Sequence, residues 1–234
     1  MKTKRLWLGM ALLFILSACI LPVDFLLDGD ENTPETTIKE EIQELLEFGK
    51  EKSAPEILPA DQLASADGAL FAGEIEKARL EYQAAFSSSD DPELQARSLY
   101  GLGRTYFLER DYYAAIDAFN RVLGQFPDTE EEANAYFLLG QVYQAIGEYE
   151  QAINAFSSYI ERKPGFLNAY VYEIIGDIAM QMQDYDKAII SYQSAQLADA
   201  EFGKHYINLQ IGKAYGELEA LTPAIQYYEK VYAA

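Results

Sequence analysis

Few side chains in this sequence could do covalent or acid–base chemistry. Cys19 is the only cysteine and His205 the only histidine among 234 residues. No His/Cys cluster is available to bind zinc in the usual way. His205 stands at the start of an expected helix with no partner pattern around it, so it reads as a surface residue. No phosphate-binding glycine loop and no Gly-x-Ser-x-Gly elbow is present. Carboxylates are abundant, but Asp128, Glu130, Glu131 and Glu132 form one charge run in a turn, which reads as solvated. The paired tyrosines Tyr112–Tyr113 and Tyr227–Tyr228 fall at repeat positions and read as core and groove residues. The expectation is a non-enzyme with no catalytic residues, no metal and no cofactor.

Cys19 has a different chemistry within reach. Lys2, Lys4 and Arg5 precede a short apolar run, Leu6 to Ile15, and small residues follow at Ser17 and Ala18. That is the order of a secretory signal. Leu16-Ser17-Ala18-Cys19 resembles the lipobox of bacterial lipoproteins. The resemblance implies cleavage before Cys19, a diacylglyceryl group on its sulfur and acylation, palmitate included, of its new amine. Stable anchoring needs more than one chain, at about 0.8 kcal/mol per buried methylene. Two other readings stay open: an uncleaved anchor over Leu6 to Val23, weakened by Pro22 and Asp24, and a plain secreted protein. The first two place the folded part outside the cytoplasm. Ile20 in place of Asp favours, by analogy, the periplasmic face of an outer membrane where two membranes exist.

Composition narrows the partners. With Cys19 alone, the folded part has no internal disulfide and rests on burial. Removing the leader's three basic residues from 18 leaves 15 Lys and Arg against 38 Asp and Glu, a net charge of −23. Such a surface repels nucleic acid and anionic head groups. A hydrophobic share of 50%, with 18 Tyr and 12 Phe, is ample for a packed core.

The chain then divides into 1–18 signal, 19–59 tether and 60–234 repeat domain. Residues 24–36 are acidic and turn-rich. Thr37 and Glu40 fit a capping box, and Ile38, Ile42, Leu45 and Leu46 share a face, which predicts a short amphipathic helix over 37–52. Residues 53–61 form a second linker. From about residue 60 the sequence repeats itself. Leu102-Gly103, Tyr106, Ala115-Ile116, Phe119 and Pro127 return as Leu139-Gly140, Tyr143, Ala152-Ile153, Phe156 and Pro164. Further copies carry Ile175-Gly176 with Tyr192, and Ile211-Gly212 with Tyr228; a weaker first copy carries Ala78 and Tyr82. The units run over about 60–92, 96–129, 133–166, 169–200 and 205–234.

Each unit reads as two helices around a short turn. A mid-helix glycine costs about 1 kcal/mol against alanine. Four of them at one slot point to the close approach of a neighbouring helix. The small alanines of the second helix would receive the aromatic of the first. Neither helix pair can bury its apolar face alone, so stacking must do it.

These residues resemble the tetratricopeptide repeat, with inter-repeat turns longer than the standard. Such turns look like those of extracytoplasmic lipoproteins of the family, among them the repeat lipoprotein of the outer-membrane β-barrel assembly machinery. The resemblance implies an all-α, right-handed superhelical solenoid of about five helix hairpins. It also implies a groove lined by the first helix of each pair, at Arg97, Tyr100, Arg104 and Phe107, then Asn134, Phe137, Gln141 and Gln144, then Tyr170, Glu173 and Asp177, then Tyr206 and Lys213. The Lys and Asn pair of the family's carboxylate clamp is replaced by Tyr100 and Arg104, so that activity does not carry over. The expected function is a membrane-tethered scaffold, binding a protein or peptide partner in the groove on the extracytoplasmic side of a bacterial envelope. An alternative is the non-catalytic N-terminal part of a larger cell-wall-acting enzyme such as a lytic transglycosylase. A third reading is self-assembly through the last repeat.

Overall fold

The computed structural model describes residues 57–165 and 167–232. The leader, Cys19, the acidic tether and the expected helix at 37–52 lie outside these residues. The described residues form ten α-helices and no strand, arranged as five successive hairpins. The first helices are α1 Pro59–Phe71, α3 Pro92–Leu108, α5 Glu130–Ile146, α7 Asn168–Gln181 and α9 Lys204–Glu217. The helices that number them in between are α2 Ile75–Ser88, α4 Tyr112–Gln125, α6 Tyr149–Arg162, α8 Tyr185–Ala198 and α10 Leu221–Tyr232.

Local sequence sets the boundaries. Asp91, Asp111 and Asp184 cap α3, α4 and α8 by accepting from the backbone N–H of Glu93, Ala114 and Lys187. Pro59 and Pro92 open their helices, where the missing N–H costs nothing, and Pro223 sits in the first turn of α10. Every hairpin turn places one residue in the left-handed region, five positions before the buried alanine of the second helix. Glycine serves at Gly73 and Gly147, whereas Arg110, Gln183 and Glu219 adopt φ of 63°, 61° and 57°. The shared turn geometry overrides the backbone preference of those three side chains.

Packing explains the repeated glycines. A Cβ on Gly140 would meet the ring of Phe156 at 2.7 Å, and one on Gly176 would meet Tyr192 at 2.6 Å. Gly103 and Gly212 face Phe119 and Tyr228 in the same way. The glycine of the first helix therefore receives the aromatic of the second helix in its own hairpin. The close approach expected at the glycines is made by the ring of the neighbouring helix. In the first hairpin Ala66 occupies the glycine slot, and the ring of Tyr82 lies against Gly101 of the next hairpin.

Stacking continues the interior from pair to pair. Each second helix packs on the first helix of the following hairpin, and α1, α3 and α5 also meet one another directly. Tyr143 joins the buried cluster around Leu99 and Phe119 to the one around Phe156 and Ile178, and Tyr172 joins the latter to the cluster around Tyr192 and Ile211. Slots that touch the preceding hairpin are apolar and buried at Ala135, Val171 and Ile207, whereas the first hairpin carries the exposed Asp61 there.

Three glycine substitutions in adjacent hairpins separate these effects. Gly140→Ala forces the fully buried Phe156 to move, and overpacking of this kind costs about 1–3 kcal/mol, more than the helix propensity gained. Gly147→Ala loses a left-handed cap and is expected to cost about 1 kcal/mol. Gly124→Ala, with open space around it in α4, should gain a few tenths to about 1 kcal/mol. Denaturant unfolding of the three variants checks both the order and the change of sign.

Candidate protein-binding groove

The first helices carry the residues expected to line the groove, and the structure sorts them into two groups. Toward the N-terminal end, α3 presents Arg97, Tyr100 and Arg104. Arg97 reaches both neighbours: its guanidinium lies 3.6 Å from Asp67 on α1 and 3.8 Å from Glu131 on α5. It therefore ties three successive first helices together along one face. Arg104 stands two turns on, with its guanidinium 5.9 Å from the ring centre of Tyr100. Among the described residues, no carboxylate comes within ion-pair distance of Arg104. These groups line a cavity of about 420 Å³, shared with Leu63, Asp67, Leu70, Phe71, Tyr82, Gly101, Leu108 and Glu131.

The second group lies on α7 and α9. One oxygen of Asp177 accepts from the hydroxyls of Tyr192 at 2.7 Å and Tyr206 at 2.8 Å. Burial, and then Asp177 itself, push the Tyr206 hydroxyl up to about 12. Burial, with Asp177 one turn away, also raises the carboxyl of Glu173. Tyr170 is exposed and packs edge-on against Phe202, with ring centres 6.4 Å apart. Lys213 is exposed on α9.

The Asp177–Tyr192 bond has a counterpart in the first hairpin. Tyr82 donates to Asp67 at 2.6 Å across the same sequence separation of 15 residues. Where the aromatic slot holds Phe119 or Phe156, the partner position holds Arg104 or Gln141 instead. In these two hairpins the hydroxyl and the carboxylate satisfy each other at the edge of the core, whereas in the fifth hairpin Tyr228 has Lys213 at the partner position.

Between the two groups the expected lining residues belong partly to the packing. Phe137 sits between Phe156 and Tyr159, with ring centres 5.7 and 5.3 Å away. Phe107 packs on Tyr112 at 6.1 Å. Both rings are half-buried in the core clusters and do not stand free in the groove. Asn134 is half-buried and accepts from Lys163 at 3.3 Å. Gln141 and Gln144 are half-buried on α5.

The charge run at 128–132 is solvated only in part: Asp128 and Glu130 are exposed. Glu131 and Glu132 fall in the first turn of α5 and are 7% and 9% exposed. Glu132 accepts from Arg162 at 2.6 Å and from the N–H of Asp128. Glu131 has one oxygen, Oε2, that is buried without a hydrogen-bond partner among the described residues. Burial pushes its carboxyl up to about 7, and the nearby carboxylate of Glu93 adds to the rise, while Arg97 opposes it. Sequence reasoning missed Glu131, Asp67 and the apolar lip of Phe71 and Leu108. Asp67 was within reach, since it stands in the first copy where Arg104 stands in the second; burial of Glu131 had no local signal.

Family comparisons agree with this architecture. Tetratricopeptide repeat models match residues 94–164, 137–204 and 205–234, together more than half of the chain. The chain belongs to the tetratricopeptide repeat family. Among solved structures, it resembles the crystal structure of MamA protein at 24% identity and TM-score 0.62, over 74% of this chain and 89% of that one. It also resembles MamA 41-end from Desulfovibrio magneticus RS-1 at 21% identity and TM-score 0.60, over 75% and 93%. At these identities the likeness is one of fold. No match was found among curated proteins. Tetratricopeptide repeats are protein–protein interaction scaffolds, and among the described residues no group of His, Cys, Asp and Glu could hold a metal ion. His205 is exposed on α9.

The raised Glu131 carboxyl makes a pH prediction. Its folded value of about 7 exceeds its ordinary 4.5, so the native state binds the proton more tightly than the unfolded chain. Its contribution to stability is fully present below pH 4.5, is lost as pH rises toward 7 and is constant above that. Glu131→Gln should therefore melt higher than the wild type at alkaline pH and alongside it in acid, as followed by circular dichroism.

Proposed function

We propose that this protein is a non-catalytic interaction scaffold, fastened to a bacterial envelope membrane through an acylated Cys19 and holding a protein partner along the first-helix face on the extracytoplasmic side. The observation that carries the groove half is the arrangement on α1, α3 and α5. There a cavity with apolar walls and convergent guanidiniums lies along a surface built by three helices at once. Ligand sites of this kind combine an apolar lining with a few placed polar groups. Half-exposed aromatics at Tyr170 and Tyr206 extend the face toward the other end, and such rings supply contact area at low entropic cost.

The anchoring half rests on the signal-like order of charge, apolar run and small residues before Cys19. Among the described residues, no helix is long and apolar enough to cross a membrane, so attachment within the reading falls to the N-terminal segment. The tether between Cys19 and the repeats would let the groove work away from the bilayer. A periplasmic face of an outer membrane follows if the organism has two membranes.

Two measurements test the two halves separately. Cys19→Ser should abolish incorporation of labelled palmitate and move the protein from the membrane to the soluble fraction. Loss of label with full membrane retention would instead favour the uncleaved Leu6 to Val23 anchor. For the groove, a photo-crosslinking residue at Tyr170, on a first helix, should capture a defined envelope protein in living cells. The same residue at the exposed Tyr113, on α4, should not. Equal capture at both positions, or capture at neither, would remove the groove reading.

A further inference from the structure

We propose that the cavity between α1 and α3 is an anchor site for an acidic side chain with an apolar neighbour, presented by a short segment of a protein partner. This rests on the reading that the first-helix face holds a protein, and it names the chemistry that the face selects. The charges come first. The chain carries a formal net charge of −20, so most of its surface repels an acidic ligand. At this cavity two guanidiniums converge. Arg97 is held between Asp67 and Glu131, which fixes its position and neutralises it. Arg104 has no such carboxylate and is braced by the Tyr100 ring, so its fork of donors is open to a carboxylate from outside.

The apolar half of the ligand has its own surface. Phe71 and Leu108, 96% and 57% exposed, stand at the cavity with Leu70 behind them. An apolar side chain beside the carboxylate would cover them. Tyr82 contributes to the same wall, with its ring against Gly101 and its hydroxyl donating to Asp67. The cavity's size, about 420 Å³, falls within the usual range for ligand sites. Beneath Arg97, the buried Oε2 of Glu131 has no partner among the described residues. Toward the other end of the face stand Glu173, Asp177 and the exposed Lys213.

The test pans a random peptide library, displayed on phage, against the purified full chain. Selected peptides should share Asp or Glu within two residues of Leu, Ile or Phe. Arg104→Gln and Phe71→Ala alter exposed side chains and leave the buried core in place. Each should weaken a selected peptide about tenfold or more by fluorescence anisotropy, as loss of a charge-assisted bond or a desolvated anchor implies. Lys213→Gln, on α9, should leave the affinity unchanged. Peptides that bind Arg104→Gln as tightly as the wild type, or a basic consensus, would overturn the anchor while leaving the groove reading intact. Recovery of no peptide at all would overturn the anchor, and the Tyr170 crosslink then decides the groove reading by itself.

Discussion

An aromatic ring laid on a glycine holds four of the five hairpins of this solenoid together. Phe119 on Gly103, Phe156 on Gly140, Tyr192 on Gly176 and Tyr228 on Gly212 set how closely two antiparallel helices approach. Any Cβ at those glycines would occupy the space of the ring. The cost of glycine in a helix, about 1 kcal/mol, is offset by burial of a large aromatic. Because these hairpins use the same contact, copies can stack into one interior. In the first hairpin, an exception, Ala66 takes the glycine slot, and Tyr82 bonds Asp67 of its own hairpin while its ring lies against Gly101 of the second.

That exception and the hydroxyl–carboxylate pairs show how the core shapes the face. A tyrosine in the aromatic slot brings a hydroxyl to the edge of the interior, and the hydroxyl needs an acceptor. Asp67 and Asp177 supply it. The carboxylates seen on the first-helix face at these two places are therefore set by the core behind them. Where phenylalanine fills the slot, the facing position is released from this duty, and Arg104 stands there without an ion pair among the described residues.

Burial also redistributes charge. In a chain with 38 acidic residues, a run of four carboxylates reads as water-facing. Stacking of α5 behind α3 encloses two of them. Glu132 gains Arg162, and Glu131 shares Arg97 at longer range while one of its oxygens stays unpaired. A carboxyl so placed holds its proton more firmly than an exposed one, which makes stability depend on pH near neutrality.

The sequence by itself determined the five hairpins. Helical periodicity, capping aspartates, turn residues and a returning Gly, Ala and aromatic are local signals, and each acts within one or two turns of helix. Which positions face the groove side was implied by the resemblance to the tetratricopeptide repeat. Only the tertiary structure decided which of those positions remain free. Phe107 and Phe137 occupy groove slots, yet neighbouring rings draw them into the core; Arg97 becomes a strut between Asp67 and Glu131. Glu131 became buried, and a cavity opened between α1 and α3, through the approach of helices distant in sequence. Those outcomes depend on distances between hairpins, which no single stretch of residues encodes.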